Sequence, residues 1–565
     1  MTVASAPAAS ATRRFDLNPV SRVAGALAFY AELDLDKRAV GDTAALATMF
    51  RGYETILHGR DARDAIFISS RACGVCGGAH ASASALACEM AFGVAPPAMG
   101  IVARNLLAAV ECLYDYPTHL FLRAGPDFSA ETVRATNPEL WTRAETAPAA
   151  GRAIHGFATV GEIMRALNHS TGELYLQALK MARVAREAYV LIGGKYPHPQ
   201  TIVPGGISST IDATDLNLAM LRVVKFFDYG RKVVAVWDDL AAFFTETAPR
   251  FAELGAGPAN FVDLGLWDDP FAYDATYESS AAWGQARWAT PGAIIGGDLK
   301  TIELQRIDAG IEEFVGHSFY EDWTGGDHTA FTTDPAGNRL SAHHPWNKRT
   351  LPRPADPGAE RGYSWCTAPR WQGHPMETGA GARLWATALA GQQPHGLFAE
   401  ATGRSLKLGV PQGELPATEL EWHVPEHWNA FERHRARAFA LPWAALVAYE
   451  NLVIAYDLAR KGGPDARVFT PYKIPKDHAY GVGYWGSSRG YLSHHLEIDG
   501  REIGNYQILG PSTFTASPKD DAGTPGPIEQ AVRTTPLLST RQAEGGLDVL
   551  RTIRSFDPCL TCATH

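Results

Sequence analysis

The sequence predicts an α+β fold: a large single domain with a core of long packed helices and small peripheral β-sheets. Three observations lead to this prediction. Several stretches carry apolar residues at helical spacing over many turns, and the strand-like stretches with alternating polarity are short. Neither an internal repeat nor a clean linker divides the 565 residues. We therefore treat residues 1–565 as one structural unit.

The long helices are expected to supply most of the core. Apolar spacing indicates four of them, over Met99–Leu122, Glu173–Ile192, Asp212–Leu254 and Trp428–Lys461. Asp212 or Asp215 is a suitable N-cap for the third helix, and Pro442 is expected to kink or end a turn in the fourth. Shorter helices are predicted at 44–58, 81–92 and 380–390.

Strands and irregular segments are expected around this core. Ala26–Asp36 alternates apolar and polar residues and predicts a strand, and Leu496–Leu509 predicts a hairpin that turns at Asp499–Gly500. Residues 1–14, rich in alanine, serine and threonine, are predicted to form a loose arm. Gly325–Pro357 is rich in Asp, Gly, Pro and His and is predicted to be a surface excursion, with its histidines in solvated loop.

The composition is that of an ordinary globular protein. Hydrophobic residues make up 46% and charged residues 20%, and the formal net charge is −10. A negative chain is a poor partner for nucleic acid or for an anionic membrane surface. No stretch reaches 18 uninterrupted apolar residues, and the N-terminus lacks the basic start and apolar core of a secretory signal. We expect no nucleic-acid partner and no transmembrane segment.

Two cysteine pairs mark the ends of the chain. Residues 71–80 read RACGVCGGAH and residues 557–565 read DPCLTCATH, so each contains C-x-x-C followed closely by a histidine. Such a pair brings two thiolates within reach of one metal ion, and two pairs together make a four-sulfur site. A structural zinc is the commonest occupant of such a site and stays open as an alternative. It is less favoured because a chain this long can build its own core.

The combination of R-x-C-G-x-C-x-x-x-H with D-P-C-x-x-C-x-x-H resembles the large subunit of nickel–iron hydrogenases. Further segments resemble the family in the same order along the chain, at Arg51–Ile66, Gly193–His198, Tyr363–Arg383 and Ser488–Thr513. The resemblance therefore covers nearly the whole sequence and implies the fold of that family. Within the family, the chain is most similar to the high-affinity, oxygen-tolerant uptake enzymes of actinobacteria and some other aerobes.

The resemblance implies a nickel–iron centre held by the four cysteines. By position, Cys73 and Cys559 would be terminal ligands of nickel, whereas Cys76 and Cys562 would bridge nickel and iron. Thiolates are soft donors, which suit these metals. The resemblance also implies that the iron carries carbon monoxide and cyanide, as Ni–Fe(CN)2(CO), and that maturation proteins add these ligands.

Further residues match family positions around that centre. Arg489 and Ser512 would donate hydrogen bonds to cyanide, and Arg489 would also lie over nickel. Asp115 and Asp557 match the carboxylates that flank this arginine, and they would stay ionised beside its charge. His80 is interpreted as a hydrogen-bond donor to a cysteine sulfur, and not as a ligand.

The implied reaction is heterolytic cleavage of dihydrogen, in which the terminal thiolate of Cys559 accepts the proton. Two positions depart from the family. Ala24 stands in RVAGA where the family has R-I-E-G-H with a proton-carrying glutamate, and Ser488 replaces the usual proline before the arginine. Alanine cannot carry a proton. Another acid or water must therefore replace the route, unless the alignment slips locally.

A magnesium site is implied as well. Glu54 and His565 match the family's ligands, and a backbone carbonyl near Asn505 with water molecules would complete an octahedron. The resemblance further implies that a C-terminal endopeptidase removes a tail after His565 once nickel is in place.

No iron–sulfur motif remains in the chain, because its other cysteines are single. Electrons would therefore leave through an iron–sulfur small subunit, the implied partner, which His198 is expected to face. We expect a cytoplasmic protein that could associate with a membrane through this partner. A regulatory dihydrogen sensor with weak turnover stays open as an alternative. A metal-free relative, such as the quinone-site subunit of respiratory complex I, is disfavoured because such relatives lack the four cysteines.

Overall fold

The computed structural model describes residues 12–325, 331–353, 362–392, 396–539 and 546–565. It confirms the α+β prediction, because long helices form the core and short antiparallel strands form small sheets around it.

The α-helices are, in chain order, α1 Tyr53–Leu57, α2 Asp64–Ser70, α3 Gly77–Phe92, α4 Ala98–Pro117, α5 Ala130–Thr136, α6 Pro138–Ala144, α7 Arg152–His155, α8 Val160–Ala166, α9 Glu173–Gly193, α10 Ala213–Val223, α11 Lys225–Thr247, α12 Ser280–Gln285, α13 Leu304–Ala309, α14 Ala380–Ala390, α15 Ala430–Lys461, α16 Pro511–Thr515, α17 Pro527–Arg533 and α18 Leu547–Ser555.

The strands are β1 Thr12–Leu17, β2 Leu27–Asp34, β3 Ala39–Ala47, β4 Ile202–Val203, β5 Gly206–Ile207, β6 Phe261–Asp263, β7 Gly292–Ile295, β8 Asp298–Thr301, β9 Ile311–Phe314, β10 Ala368–Trp371, β11 Ala399–Ala401, β12 Ser405–Val410, β13 Thr418–His423, β14 Ala479–Ser487, β15 Gly490–Asp499 and β16 Glu502–Leu509. Within the described residues, the sheets are β1–β2–β3, β4–β5, β6–β7–β8, β9–β10, β11–β12–β13 and β14–β15–β16, all antiparallel.

Helix α15 lies at the centre of the core, against α4 and α11. The side chain of Asn429 caps its start, and the helix passes through Pro442 without ending. Gly230 of α11 faces that proline: a Cβ at residue 230 would lie 2.8 Å from Pro442 Cβ, so glycine permits the close approach. Among the described residues, α15 is the one helix long and apolar enough to cross a membrane, but 78% of its most apolar stretch is buried inside the fold.

Two predicted long helices differ in detail from the structure. The stretch Asp212–Leu254 divides into α10 and α11, and Asp212 Oδ1 accepts the N–H of Asp215 at 2.9 Å, which confirms the predicted cap. Helix α4 changes type after Pro117, which has no N–H for the preceding turn, and Thr118–Ala124 continue as a π-helix.

The helix predicted at 44–58 is wrong in its first part. Ala39–Ala47 form strand β3, and only the five residues of α1 are helical. The inward-facing side chains of β3, each 0% exposed, are Thr43, Ala45 and Ala47. Their spacing is that of a strand, and the carboxylate of Glu529 fixes the strand to α17 by accepting the N–H of Ala45 at 2.9 Å.

The predicted surface excursion at Gly325–Pro357 is also wrong in part. His344, Trp346 and Lys348 are buried, because the indole packs into the main core and the ammonium group pairs with buried carboxylates. His328 lies outside the described residues. The predicted arm at 1–14 ends early, since residues 12–14 belong to β1, and residues 1–11 are likewise outside the described part.

The sheet β14–β15–β16 packs on α3 and positions Arg489 and the first cysteine pair. Gly483 of β14 lies so close to this helix that a Cβ would be 1.7 Å from Ala83 O. The predicted hairpin is confirmed, since Asp499 pairs with Glu502 across its turn. Arg489 lies in the connection between β14 and β15, and the first cysteine pair immediately precedes α3. The sheet therefore fixes the arginine relative to these cysteines.

Candidate metal centre

The two cysteine pairs meet in the fold. Cys73 Sγ lies 3.5 Å from Cys559 Sγ, and Cys76 Sγ lies 2.9 Å from Cys562 Sγ. Within the second pair, Cys559 and Cys562 are 3.2 Å apart. All four side chains are buried, none forms a disulfide, and their sulfurs lie within 4.8 Å of one another. This soft, compact donor set fits nickel and iron.

Backbone hydrogen bonds join the two ends of the chain at this point. Ala24 N donates to Pro558 O, and Leu560 N donates to Ala24 O, so residue 24 pairs in parallel with Cys559. Gly25 follows with φ +82°, and a Cβ there would lie 2.7 Å from Thr561 N. The pairing places Ala24 beside Cys559, where its methyl group cannot carry a proton.

Hydrogen bonds converge on the sulfurs as well. The N–H groups of Val75 and Cys76 both donate to Cys73 Sγ at 3.3 Å. Thr561 Oγ1 lies 3.0 Å from Cys559 Sγ and 3.5 Å from Cys73 Sγ. Hydrogen bonds from the neighbouring thiols hold the pKa of Cys559 well below its usual range. Contacts with the same thiols raise the pKa of Cys76 well above its usual range, and burial raises that of Cys562.

Arg489 is a buried cation held between two carboxylates. Its guanidinium nitrogens lie 2.8 Å from Asp115 and 3.0 Å from Asp557, and Nε donates to Asp557 O at 3.1 Å. Burial opposes the charge, but the two carboxylates outweigh it and raise the pKa of Arg489 well above its usual range. The same charge acts on Cys559 and Cys76. The structure thus brings the predicted arginine and both predicted carboxylates together.

The two carboxylates differ in their surroundings. Burial disfavours the charge of Asp557, but Arg489 and further basic side chains lower its pKa well below the usual range. At Asp115 burial raises the pKa, and the charge of Asp557 adds to this effect. The Ser488 hydroxyl donates to Asp115 Oδ2 at 2.5 Å. The serine that departs from the family's proline therefore gives this carboxylate a hydrogen bond that proline could not.

Two residues that no sequence motif indicated contact Asp557. His119 Nδ1 lies 3.0 Å from Asp557 Oδ1, and Arg123 Nη1 lies 3.0 Å from the same oxygen. Both lie on the π-helical stretch after Pro117. Periodicity gave no signal for this change of helix type.

Ser512 lies at the start of α16, next to the second cysteine pair. Its Oγ accepts the N–H of Cys559 at 2.8 Å. The hydroxyl hydrogen is not used in this contact, so donation to a ligand, as predicted, stays compatible with the geometry.

His80 belongs to a buried chain of hydrogen bonds. Tyr506 donates its hydroxyl hydrogen to Ser84 at 2.8 Å and so accepts from His494 Nδ1 at 2.6 Å. His494 Nε2 then accepts from His80 Nδ1 at 3.1 Å, which leaves His80 Nε2 as a buried acceptor without a partner. Burial lowers the pKa of His80 to about 4. This arrangement does not support the predicted donation to a sulfur, which would need the other tautomer.

Glu54 and His565 lie together, with His565 Nδ1 3.5 Å from Glu54 Oε1. Lys348, which no sequence motif indicated, lies beside them. Its buried ammonium group is 3.6 Å from the same oxygen and 3.0 Å from Glu313 Oε2. Glu54 Oε1 also accepts the N–H of Ile508 at 3.0 Å. The donor set fits magnesium only in part, since a cation already lies beside the carboxylate.

A second group of ligand-type side chains is buried elsewhere. Asp308, His344 and His495 place ligand atoms within 4.8 Å of one another. His344 Nδ1 accepts the N–H of Trp346, so Nε2 carries the proton and donates to Asp308 O at 3.1 Å. A ring with both nitrogens engaged in this way cannot bind a metal. We interpret this group as a structural hydrogen-bond network.

Comparison with known proteins agrees with the sulfur geometry. A family model described as nickel-dependent hydrogenase matches residues 51–148 and 164–565. The periplasmic [NiFeSe] hydrogenase large subunit of Desulfomicrobium baculatum is 30% identical over 100% of this chain and 97% of its own length. The uptake hydrogenase large subunit of Rubrivivax gelatinosus is 28% identical over 98% of this chain and 95% of its own length.

Solved structures show the same similarity. An actinobacterial-type NiFe-hydrogenase from Ralstonia eutropha H16 has a TM-score of 0.94 at 38% identity, over 98% of this chain and 100% of that chain. A [NiFeSe]-hydrogenase from Dm. baculatum has a TM-score of 0.74 at 27% identity, with the same coverage. The chain therefore belongs to the nickel-dependent hydrogenase family and is the large subunit of a nickel–iron hydrogenase.

Proposed function

We propose that this subunit oxidises dihydrogen at a nickel–iron centre and passes the electrons to an iron–sulfur small subunit. The observation that carries the proposal is the convergence of four buried sulfurs within 4.8 Å beside a buried, carboxylate-held arginine. Cys73 and Cys559 would bind nickel alone, and Cys76 and Cys562 would bind both metals. When bound, such a centre supplies the heterolytic splitting of dihydrogen and takes up its electrons.

The protein's own part is to orient the reactants and to receive the proton. Cys559 Sγ is the proposed proton acceptor, because a terminal thiolate can act as a base and the family likeness assigns this role to its position. Arg489 is proposed to hold a fixed positive charge and hydrogen-bond donors beside the sulfurs. Asp115 and Asp557 would keep that guanidinium in one orientation, since both contact it directly.

Ligands on the iron and a magnesium ion are further parts of the proposal. Ser512 and Arg489 would donate to cyanide, and Glu54 with His565 would bind magnesium together with a carbonyl near Asn505. The contact of Lys348 with Glu54 competes with magnesium. Elemental analysis of the purified subunit would decide this point, and less than stoichiometric magnesium would mean that Lys348 replaces the ion.

The partner surface is proposed to lie around α1, α2 and the segment ending at His198. Ile56 and Phe67 are 45% and 39% exposed on the neighbouring helices α1 and α2, and His198 Nδ1 contacts Ser70 O at the end of α2. Phe67→Glu should weaken co-purification of an iron–sulfur subunit. Leu221→Glu on α10, where the leucine is 61% exposed, is the matched control.

Cellular context follows from the same family likeness. Maturation proteins and a C-terminal endopeptidase would complete the centre, and the subunit would be cytoplasmic or joined to a membrane through its partner. Oxygen tolerance is proposed only from the sequence resemblance to the oxygen-tolerant uptake enzymes. Activity measured under air against activity under nitrogen tests it.

The deciding experiment uses the subunit purified with its co-expressed partner and maturation proteins. We expect nickel and iron in equal amounts, infrared bands of bound carbon monoxide and cyanide, and dihydrogen-dependent reduction of an artificial acceptor. Cys562→Ser should lose both metals. Zinc in the site or absent infrared bands would contradict the proposal, and intact bands with only weak turnover would favour the sensor alternative.

A further inference from the structure

One side-chain hydroxyl contacts the sulfur cluster. Within the part of the chain that the structure describes, Thr561 is the one residue besides the four cysteines whose side chain hydrogen-bonds a cluster sulfur. Its Oγ1 lies 3.0 Å from Cys559 Sγ and 3.5 Å from Cys73 Sγ. The other donors to these sulfurs are backbone N–H groups, which cannot pass a proton on. Ala24, which pairs with Cys559, offers only a methyl group.

The position of Thr561 is well defined. Hydrogen bonds of Ala24 with Pro558 and Leu560 hold the backbone on one side of Thr561. Arg51 Nη1 donates to Thr561 O at 3.1 Å, while the same guanidinium also contacts Ala72 O, next to the first cysteine pair. Both ends of the chain therefore fix the place of the hydroxyl relative to the sulfurs.

Thr561 is more exposed than the cysteines on either side of it. The threonine is half-buried, whereas Cys559 and Cys562 on either side of it are buried. Gly25, which follows Ala24, and Gly74, which follows Cys73, are both exposed. A Cβ at Gly74 would meet no atom within 4 Å. The hydroxyl thus belongs to a partly exposed residue and lies within hydrogen-bond distance of a buried sulfur.

We propose that the Thr561 hydroxyl carries the proton from Cys559 toward solvent, in place of the carboxylate that is missing at Ala24. This inference rests on the proposed function, in which Cys559 receives that proton. The Sγ–H bond breaks as Thr561 Oγ1 takes the proton, and the proton that Thr561 carried passes to a water molecule. The sulfur is left as a thiolate, rotation about Cβ–Oγ1 restores the hydroxyl, and no electron moves in this step.

Glu111 is the strongest competing group, since it is a buried acid near the first cysteine pair. Its carboxylate accepts the N–H groups of Gly78 and Ala79 at 3.1 Å, at the start of α3. These contacts stabilise a helix N-terminus. No hydrogen bond to a cluster sulfur is found for Glu111 in the described residues, so we assign it a structural role.

The test separates bond cleavage from proton exit in the metal-loaded enzyme. Conversion of para- to ortho-dihydrogen needs the H–H bond to break and re-form, but no proton has to leave. Exchange of deuterium gas with solvent protons needs the proton to leave. Thr561→Val should keep metal content and para–ortho conversion, and should lower solvent exchange and acceptor-linked oxidation by about 10²-fold. Thr561→Ser should restore most of both rates.

Controls make each outcome decisive. Thr48→Val removes an exposed hydroxyl that contacts only Ala26 O and should change nothing, and Glu111→Gln should keep solvent exchange. Normal exchange in Thr561→Val, or loss of exchange in Glu111→Gln, overturns the inference. If valine prevents metal loading, Thr561→Ala removes the same hydroxyl with less bulk and carries the test. Absent para–ortho conversion in the unmodified enzyme would contradict the proposed function instead.

Discussion

Arg489 keeps its charge inside the protein because two carboxylates surround it. The residue is 3% exposed, and an isolated charge at that depth would cost several kcal/mol. The planar guanidinium contacts Asp115 and Asp557 at the same time, which a single ammonium group cannot do in the same geometry. The position of this positive charge relative to the sulfurs is therefore fixed.

Replacing this arginine by lysine should preserve the metal content and lower the rate of dihydrogen oxidation. For Arg489→Lys we expect unchanged nickel and iron content and a loss of about 10²-fold in dihydrogen oxidation, the effect of losing a preorganised donor. Arg104→Lys is the control, because Arg104 is equally buried and paired with Glu89 but makes no contact with the sulfurs. Equal rates per nickel in both variants would show that Arg489 has no part in turnover.

Glu529 predicts a pH dependence of stability that is independent of the metal centre. Burial raises its pKa to about 7, against 4.5 for an exposed glutamate. The folded state therefore keeps a proton that the unfolded chain releases at lower pH. Its stabilising contribution is full below pH 4.5 and is lost as the pH rises to about 7, by about 3 kcal/mol in all.

The measurement compares thermal unfolding of the native chain and Glu529→Gln between pH 4.5 and 8. The amide cannot ionise but can still accept the N–H of Ala45. As the pH rises, the native chain should lose stability relative to the variant. Above pH 7 the stability curves of the two proteins should run parallel. Parallel curves over the whole range would mean that Glu529 ionises in the fold as it does in water.

The sequence predicted the individual residues that belong to recognisable motifs. It did not predict the residues that contact them from distant parts of the chain. Asp115, Arg489 and the cysteines were found because each occupies a recognisable position. Lys348 was missed because its segment is polar and rich in glycine and proline, and composition does not report burial. The hydrogen bond from Ser488 to Asp115 spans 373 residues, and no local pattern could indicate it.

Among the elements, α3 and β14 make the contact that positions the centre. Gly481 and Gly483 let the strand lie directly on the helix backbone, since a Cβ at either residue would come within 2.2 Å of a carbonyl oxygen. This contact holds the start of α3, and with it the first cysteine pair, against the sheet that precedes Arg489.

Gly483→Ala should disrupt this contact. The new methyl group would meet Ala83 O, a backbone atom that cannot move without shifting the helix, so we expect a loss of about 3 kcal/mol or more in unfolding free energy and reduced metal loading. Gly409→Ala on β12 is the matched control, because a Cβ there meets nothing within 4 Å. Equal unfolding midpoints for the two variants would contradict the close packing.

The sequence predicted helices correctly where apolar spacing persists over several turns. The prediction failed where small residues suit both a helix and a strand. The boundaries of α9, α14 and α15 lie within about two residues of those predicted, because their apolar spacing persists for several turns. The alanines of β3 suit both a strand and a helix, so the sequence indicated a helix here. Pairing with β2 and the contact with Glu529 stabilise the strand. Both contacts depend on the tertiary structure and leave no local sequence pattern.

Over the whole molecule, the fold brings residues 486 positions apart into one site. The sequence motifs predicted that the cysteine pairs belong together, and the resemblance predicted the fold around them. How the ends are joined, through the pairing of Ala24 with Cys559 and through Arg51, was not predictable, since it depends on backbone positions set by the entire core.

Convergence of the ends can be tested without metal. In metal-free protein, mild oxidation should join Cys76 to Cys562, whose sulfurs lie 2.9 Å apart. Peptide mapping should find the cross-linked peptides, and Cys76→Ser should remove them. Nickel-loaded protein should resist the reaction, because its thiolates are engaged. Cross-links only within each C-x-x-C pair would contradict the convergence.

The distance between the cysteine pairs along the chain has a consequence for biosynthesis. At translation rates of about 5–20 residues per second, Cys73 and Cys76 leave the ribosome roughly half a minute to a minute and a half before their partners exist. During that interval the two early thiols can bind a metal ion only as a pair. Selection of the correct metals by all four sulfurs must therefore wait until residues 557–565 have been synthesised and have docked beside Ala24.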